Sequence, residues 1–273
     1  VELLKTRTQR RFILILALTF TSTLVVYGIA YLVFEPLAFG VVVAWATSII
    51  VLIIYLERKR AGVLGLENQY SDLRSYINLQ SMLGETFVPY SFWAMEPGSL
   101  LNLLAAIQYR DYRTIVECGA GLSTVLIGKL LKQLGGGHIY SLEDDERWYA
   151  VMSAAIAKEG LAEYITLLYS PLEKNTESGE LWYGQAAAQQ ILARVNAIDL
   201  LVVDGPKSNT PLSRMPALPI FAAKLNSQSL IVLDDSKREN EQQVLKQWRE
   251  RFNLDIEQKS DSLRGQTYIR IIG

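Results

Sequence analysis

Val116-Glu117-Cys118-Gly119-Ala120-Gly121-Leu122-Ser123-Thr124 runs from the end of an apolar, β-branched strand through a glycine turn into the start of a helix. Glycine at 119 and 121 lets a ligand approach the backbone closely, and Ser123 is placed to cap the helix that follows. Outward from this stretch, strand-like and helix-like segments alternate. Strands are expected over Thr114–Cys118, Ile139–Leu142, Ile165–Tyr169, Leu200–Val203 and Leu230–Leu233, with helices from Ser123, near Arg147 and over Glu239–Phe252. Such alternation predicts a doubly wound α/β domain, a mostly parallel sheet with helices on both faces. Two late strands, Leu254–Gln258 and Gln266–Ile272, complete one edge and bring the sheet to seven. The polar stretch Glu173–Glu180 reads as a surface loop and, near a site, as a lid.

The 273 residues are half apolar, but that average joins two materials. Phe12 to Leu56 is almost continuously apolar, while the remainder mixes charge and hydrophobe as a folded domain in water does. The 27 basic and 28 acidic side chains nearly cancel, and no polybasic block appears beyond two short clusters beside the apolar runs, so no nucleic-acid partner is expected. Cys118 is the single cysteine, which rules out an internal disulfide and a cysteine-rich zinc site and fits a reducing compartment. Cys118 itself reads as buried filler. His138 is the single histidine, so no site can use two imidazoles.

Residues 12–34 and 37–56 each supply about 20 residues, uninterrupted by charge until Glu35, which suffices to span the hydrocarbon core as helix. Glu35 and Pro36 break the run, and proline suits the first turn of a new helix, so a tight transmembrane hairpin is expected. Lys5, Arg7, Arg10 and Arg11 precede the first span and Arg58, Lys59 and Arg60 follow the second, whereas the turn carries no lysine or arginine; both ends should face the cytoplasm. The expected location is a bacterial inner membrane, spanned twice. Small residues on both spans, Gly28 and Gly40 among them, suit close helix contact and oligomerisation through the hairpin. The organisation is then a membrane anchor over 1–60, a helical connector and cofactor-covering segment over 61–104, and a catalytic domain over 105–273.

Ligands on doubly wound sheets bind at the carboxyl ends of the strands. Glu143, closing the second strand about 20 residues beyond the glycine turn, is placed to accept hydrogen bonds from both hydroxyls of a ribose. The dinucleotide fingerprint fails at its third glycine position, which is Thr124, and Glu117 in the loop would repel a pyrophosphate while suiting a cationic amine. No lysine follows the glycines at the spacing of a phosphate-binding loop. Glu117 and Glu143 are therefore expected to line one phosphate-free cavity. The fourth and fifth strands end in Asp204-Gly205-Pro206-Lys207 and Asp234-Asp235, so three carboxylates converge on the same sheet edge.

These residues resemble class I S-adenosylmethionine-dependent methyltransferases through Val116–Ser123, Leu142–Asp144, Val202–Pro206 and Val232–Asp235, over roughly Ser91 to Ile272. The resemblance implies a Rossmann-like fold and a cofactor held by Glu117, Gly119, Gly121 and Ser123 at its methionine end and by Glu143 and Asp144 at its ribose, with Trp93 closing over it. It is similar, more narrowly, to metal-dependent O-methyltransferases of the catechol and caffeoyl-coenzyme A kind. That similarity implies magnesium or another divalent cation on Asp204, Asp234 and Asp235 and a general base at Lys207 or Asp204. The chain departs from the pattern at Asp235, where asparagine is usual, and Lys237 and Arg238 could neutralise the acids instead. Arg214 is a candidate for binding an anionic substrate group. Trp148 and Tyr149 read as helix core in preference to adenine-stacking partners. The expected activity is O-methylation of a small-molecule, glycan or lipid-linked acceptor near the membrane. Two other readings stand beside it: a non-catalytic nucleoside-binding scaffold in a membrane complex, and an NAD-dependent oxidoreductase.

Overall fold

The computed structural model describes residues 7–33, 38–83, 94–176, 178–207, 211–258, 262 and 264–272. The chain divides into two compact units, Val1–Glu67 and Asn68–Gly273.

In the first unit, α1 spans Arg7–Val33, and α2, spanning Ala38–Leu83, starts there. Among the described residues one segment, Gly40–Arg60, is long and apolar enough to cross a membrane, and none of its apolar window is buried; Ala17–Ile29 on α1 is a shorter apolar stretch. The expected Glu35–Pro36 turn lies outside the described residues. Several hydroxyls on these helices bond within their own turns, Ser22 donating to the Leu18 carbonyl at 2.7 Å and Ser48 to the Ala44 carbonyl at 2.8 Å. Such internal pairing lets a polar side chain sit in an apolar medium without an orphaned donor.

The second unit is built on a seven-stranded sheet, in the order β3-β2-β1-β6-β7-β9-β8. Its strands are β1 (Thr114–Cys118), β2 (His138–Glu143), β3 (Ile165–Tyr169), β6 (Leu200–Val203), β7 (Leu230–Asp234), β8 (Leu254–Gln258) and β9 (Gln266–Ile271). All neighbouring pairs are parallel except those made by β9. Helices α3 (Pro97–Arg110), α4 (Leu122–Gln133) and α5 (Glu146–Lys158) cover one face, burying Leu100, Leu126 and Met152 against Ile115 and Val202. Helices α6 (Gln185–Arg194), α7 (Ala217–Phe221) and α8 (Glu239–Arg251) cover the other, burying Ile191, Phe221 and Trp248 against Val116 and Leu201. Alternate residues of each strand thus feed opposite cores, which is why the central strands read as continuous apolar runs.

Two local expectations are corrected. The stretch from Glu173 is not simply loop: β4 (Leu172–Lys174) pairs antiparallel with β5 (Leu181–Tyr183), Glu173 facing Trp182. Trp182 and Tyr183 are buried, and that apolar anchorage holds the polar turn. Helix α4 begins one residue earlier than expected, with Gly121 rather than Ser123 at its cap position. Its entry is fixed by Thr124, whose Oγ1 accepts from the Gly121 N–H at 2.9 Å.

Candidate active site

The chain winds outward from β1 in one direction through β2 and β3, and from β6 in the other through β7, so the sheet's switch point lies between β1 and β6. Doubly wound sheets open their binding crevice at that point, beyond the carboxyl ends of the strands. A cavity of about 480 Å³ sits there, bounded by the Gly119–Ser123 turn, by Glu143, Asp144 and Asp145 after β2, and by Asp204, Gly205 and Lys207 after β6. Ala94, Met95, Trp148 and Tyr183 complete its lining.

The two strand ends meet backbone to backbone. The amides of Asp204 and Gly205 both donate to the Cys118 carbonyl, at 3.0 and 2.6 Å. Gly119, at φ +99°, lies so close to Gly205 that a β-carbon on either residue would press on the other's main chain. Gly121 differs: a β-carbon there would meet nothing within 4 Å. Of the two glycines in the turn, 119 is required by packing and 121 leaves the space that a ligand would use.

Glu143, at the tip of β2, lines the cavity, and one of its oxygens accepts from the Asp145 N–H at 2.8 Å. Burial pushes its pKa up to about 7. Asp145 in turn caps α5, accepting from the Trp148 N–H at 2.9 Å. Asp144 also lines the cavity, its pKa raised by burial first and by Asp145 second.

Glu117 is the main departure from expectation. It is fully buried and does not line the cavity. Its carboxylate accepts from the hydroxyls of Ser123 and Thr124, both at 2.5 Å, and of Ser141 at 2.8 Å. The reason is its place along the strand. Glu117 still belongs to β1, in register with Ser141, so its side chain stands off the sheet face beneath α4 rather than projecting past the sheet edge. It shapes the turn from behind; Gly119, Gly121 and Ser123 are what it presents to the cavity.

Arg214 is likewise not placed to meet a substrate. It is 5% exposed, outside the cavity lining, and lies among the acids that end β6 and β7. Asp204, Asp234 and Asp235 bring carboxylate oxygens within 4.8 Å of one another. Arg214 Nη2 is 3.4 Å from Asp204 Oδ1 and 3.1 Å from Asp235 Oδ2, and it donates to the Asp204 carbonyl; Nη1 donates to the Asp234 carbonyl at 2.8 Å. Arg238 reaches Asp235 Oδ2 at 2.9 Å, while Lys237 turns away to the Ser262 carbonyl. Burial, partly offset by Arg214, holds the Asp204 carboxyl up to about 6, and burial with the neighbouring aspartates raises Asp234 well above its ordinary range. As arranged, these residues do not fit a divalent ion, because a guanidinium already bonds the carboxylates that would have to converge on it.

Several lining residues were not among the expected site residues. Trp148 packs against the core as expected, and it also borders the cavity, where its indole N–H donates to the Ala120 carbonyl at 2.8 Å, bracing the glycine turn. Tyr183 borders it too, and its hydroxyl is buried with no partner among the described residues. Tyr183 arrives on the β5 hairpin, and no strand-end rule could foresee it. Ala94 and Met95 flank the cavity beside Glu96, whose carboxylate accepts from the Arg264 N–H at 3.3 Å. Trp93 lies outside the described residues.

Residues 116–236 match a family model described as a methyltransferase domain, a stretch that runs from β1 to just past β7. No curated protein matches the chain. Among solved structures, the methyltransferase PaMTH1 of Podospora anserina, crystallised with SAH, is 13% identical and superposes with a TM-score of 0.55, covering 79% of this chain and 96% of its own. An O-methyltransferase from Bacillus cereus in complex with SAH gives 14%, 0.49, 74% and 91%. The O-methyltransferase TomG of Streptomyces achromogenes, with SAM, gives 14%, 0.47, 72% and 96%. The second unit thus has the Rossmann-like methyltransferase fold.

Proposed function

We propose that this chain is an S-adenosylmethionine-dependent methyltransferase held at a membrane, acting on oxygen in a small-molecule, glycan or lipid-linked acceptor. The observation that carries the reading is the acid-lined cavity at the β1–β6 switch point, inside the stretch that matches the methyltransferase domain model. The residues present fit the cofactor. The glycine turn leaves open space at Gly121, Glu143 stands ready as an acceptor, and the turn carries no cation to attract a phosphate. When bound there, S-adenosylmethionine supplies an electrophilic methyl group.

The remaining work is positioning. Glu143, with one oxygen held by the Asp145 amide, is oriented to accept from ribose hydroxyls. Asp144 and Asp204 add negative potential that favours a cationic ligand. Asp204 and Lys207 lie on the β6 side, where either can take a proton from an attacking hydroxyl; the raised carboxyl of Asp204 suits a base near neutral pH. Met95, Trp148 and Tyr183 form the apolar part of the wall, which would shield the reacting atoms from water.

Calorimetry with S-adenosylhomocysteine tests the site. Removing a charged acceptor with Glu143→Ala is expected to weaken binding about 10- to 100-fold, the loss of one or two charge-assisted hydrogen bonds. Because burial holds its acid form up to about 7, wild-type affinity should also fall as pH drops through that value and the carboxylate is protonated. Equal affinity in wild type and variant would remove Glu143 from the site, and no binding by wild type would remove the enzymatic reading.

The membrane reading rests on Gly40–Arg60 together with the exposed apolar side chains of α1, among them Phe20, Leu24 and Ile29. A contiguous apolar surface of this extent marks a membrane or protein partner. The basic residues Arg58, Lys59 and Arg60 at its end favour a cytoplasmic catalytic domain. On this reading the full chain stays with the membrane pellet through an alkaline carbonate wash and leaves it only in detergent; release by carbonate alone would sink the anchor.

A further inference from the structure

Three carboxylates at the tips of β6 and β7 stand where neighbouring negative charges need a counter-ion, and the chain itself carries one in. We infer that Arg214 occupies the position of a divalent cation among Asp204, Asp234 and Asp235, so that a built-in guanidinium supplies the counter-charge and the site operates without a bound metal. Arg214 comes from the loop between β6 and α7 and is buried together with Asp234 and Asp235. One guanidinium nitrogen, Nη2, serves Asp204 Oδ1 at 3.4 Å and Asp235 Oδ2 at 3.1 Å, and its partner Nη1 ties down the Asp234 main chain at 2.8 Å. On the far side, Nε faces Glu241 Oε1 at 3.7 Å, a fourth carboxylate that helps hold the guanidinium in place. Asp234 Oδ1 is taken by Gln266 Nε2 at 3.1 Å, and Asp235 Oδ2 is shared with Arg238.

The geometry discriminates between the two kinds of cation. A planar guanidinium bonds acceptors spread over several ångströms through fixed N–H directions. Magnesium instead draws its oxygens to about 2.1 Å from a single centre, in a near-ideal octahedron. Arginine nitrogens bonded to the carboxylates of two of the acids and to the main chain of the third match the first arrangement. One atom of the cluster, Asp235 Oδ1, is buried with no partner among the described residues, and it is where a small ion would first find a hold. Arg214 is therefore a positioning residue. It sets the charge and direction of Asp204 at the cavity wall, and the proton of an acceptor hydroxyl falls to Asp204 or Lys207; this last consequence alone rests on the methyltransferase reading.

Manganese titration followed by electron paramagnetic resonance, on the full chain in detergent with the metal as sole probe, decides the matter. Wild type and Arg214→Lys, which keep a cation in place, should bind no stoichiometric Mn²⁺ up to about 1 mM, the weak end of oxygen-ligand sites. Arg214→Met, which releases the acids, should gain one Mn²⁺ per chain at least about ten-fold tighter than wild type, and lose it again when Asp235→Asn is added. A purely structural arginine would give no such gain. One Mn²⁺ per wild-type chain, abolished by Asp235→Asn, would overturn the inference, as would a cooperatively melting Arg214→Met variant that binds none. If Arg214→Met does not fold, the wild-type and lysine titrations still decide. S-adenosylhomocysteine binding, measured beside them with excess chelator, reports on the methyltransferase reading separately.

Discussion

Gly205→Ala should lower the thermal midpoint of the second unit by about 6–12 °C, the shift that about 3 kcal/mol produces in a domain of this size. The added β-carbon would lie 2.8 Å from the α-carbon of Gly119 and would run into the Tyr183 hydroxyl. A tyrosine can turn aside, but the Gly119 main chain cannot, because the Gly119 amide is tied to the Leu142 carbonyl at 3.0 Å and the Gly205 amide to the Cys118 carbonyl at 2.6 Å. The strain must therefore spread into the ends of β1 and β6, which are the walls of the cavity. Loss of S-adenosylhomocysteine binding should accompany the loss of stability. Gly121→Ala is the control: its β-carbon meets nothing within 4 Å, so it should leave stability within about 1 kcal/mol of wild type while weakening binding of the ligand that uses that space. Calorimetric melting of both variants checks the pair, and an unshifted midpoint in Gly205→Ala would show that the two strand ends are free to part.

Glu117→Gln should change how stability depends on pH, in a direction set by burial. Burial raises the Glu117 carboxyl from the ordinary 4.5 to about 7, the three hydroxyl donors only partly opposing it. The folded state therefore holds this proton more tightly than the unfolded chain does. Its contribution is fully present below pH about 4.5 and is lost as pH rises through about 7, roughly 3 kcal/mol in all. Raised carboxyls at Glu143 and Asp204 act in the same sense, so wild type should lose stability steadily over that range. Glutamine cannot ionise, and the variant should show a shallower decline between pH 5 and pH 8, about 3 kcal/mol less. Glu117→Ala is the harsher test. It strands the Ser123, Thr124 and Ser141 hydroxyls in a dry interior and should cost about 3 kcal/mol or more at any pH. Denaturant midpoints at several pH values measure both, and parallel pH curves for wild type and Glu117→Gln would contradict the assignment.

Much of this molecule follows from local pattern alone. Seven strands, their alternation with helices, and the glycine turn after the first strand are all legible in Thr114–Thr124 and the apolar runs that follow, because parallel strands buried on both faces must be continuously hydrophobic. The apolar run beginning at Phe12 is equally plain, since length and absence of charge are properties of the chain itself. Where side chains point was less accessible. Glu117 and Glu143 look alike in sequence, each an acid at the end of a strand, yet one is locked under α4 and the other opens onto the cavity. That difference arises from which strand residue is the last to pair, a matter of register between β1 and β2. Arg214 shows the same limit at longer range. Nothing local marks it as the partner of Asp204, Asp234 and Asp235, because the loop that brings it there is placed by the packing of α7 and β7. Tyr183 and Trp148 reach the cavity by the same kind of route. Strand order and burial determined which acids face a ligand and which face an arginine; the sequence by itself determined that the acids, the glycines and the sheet would be there.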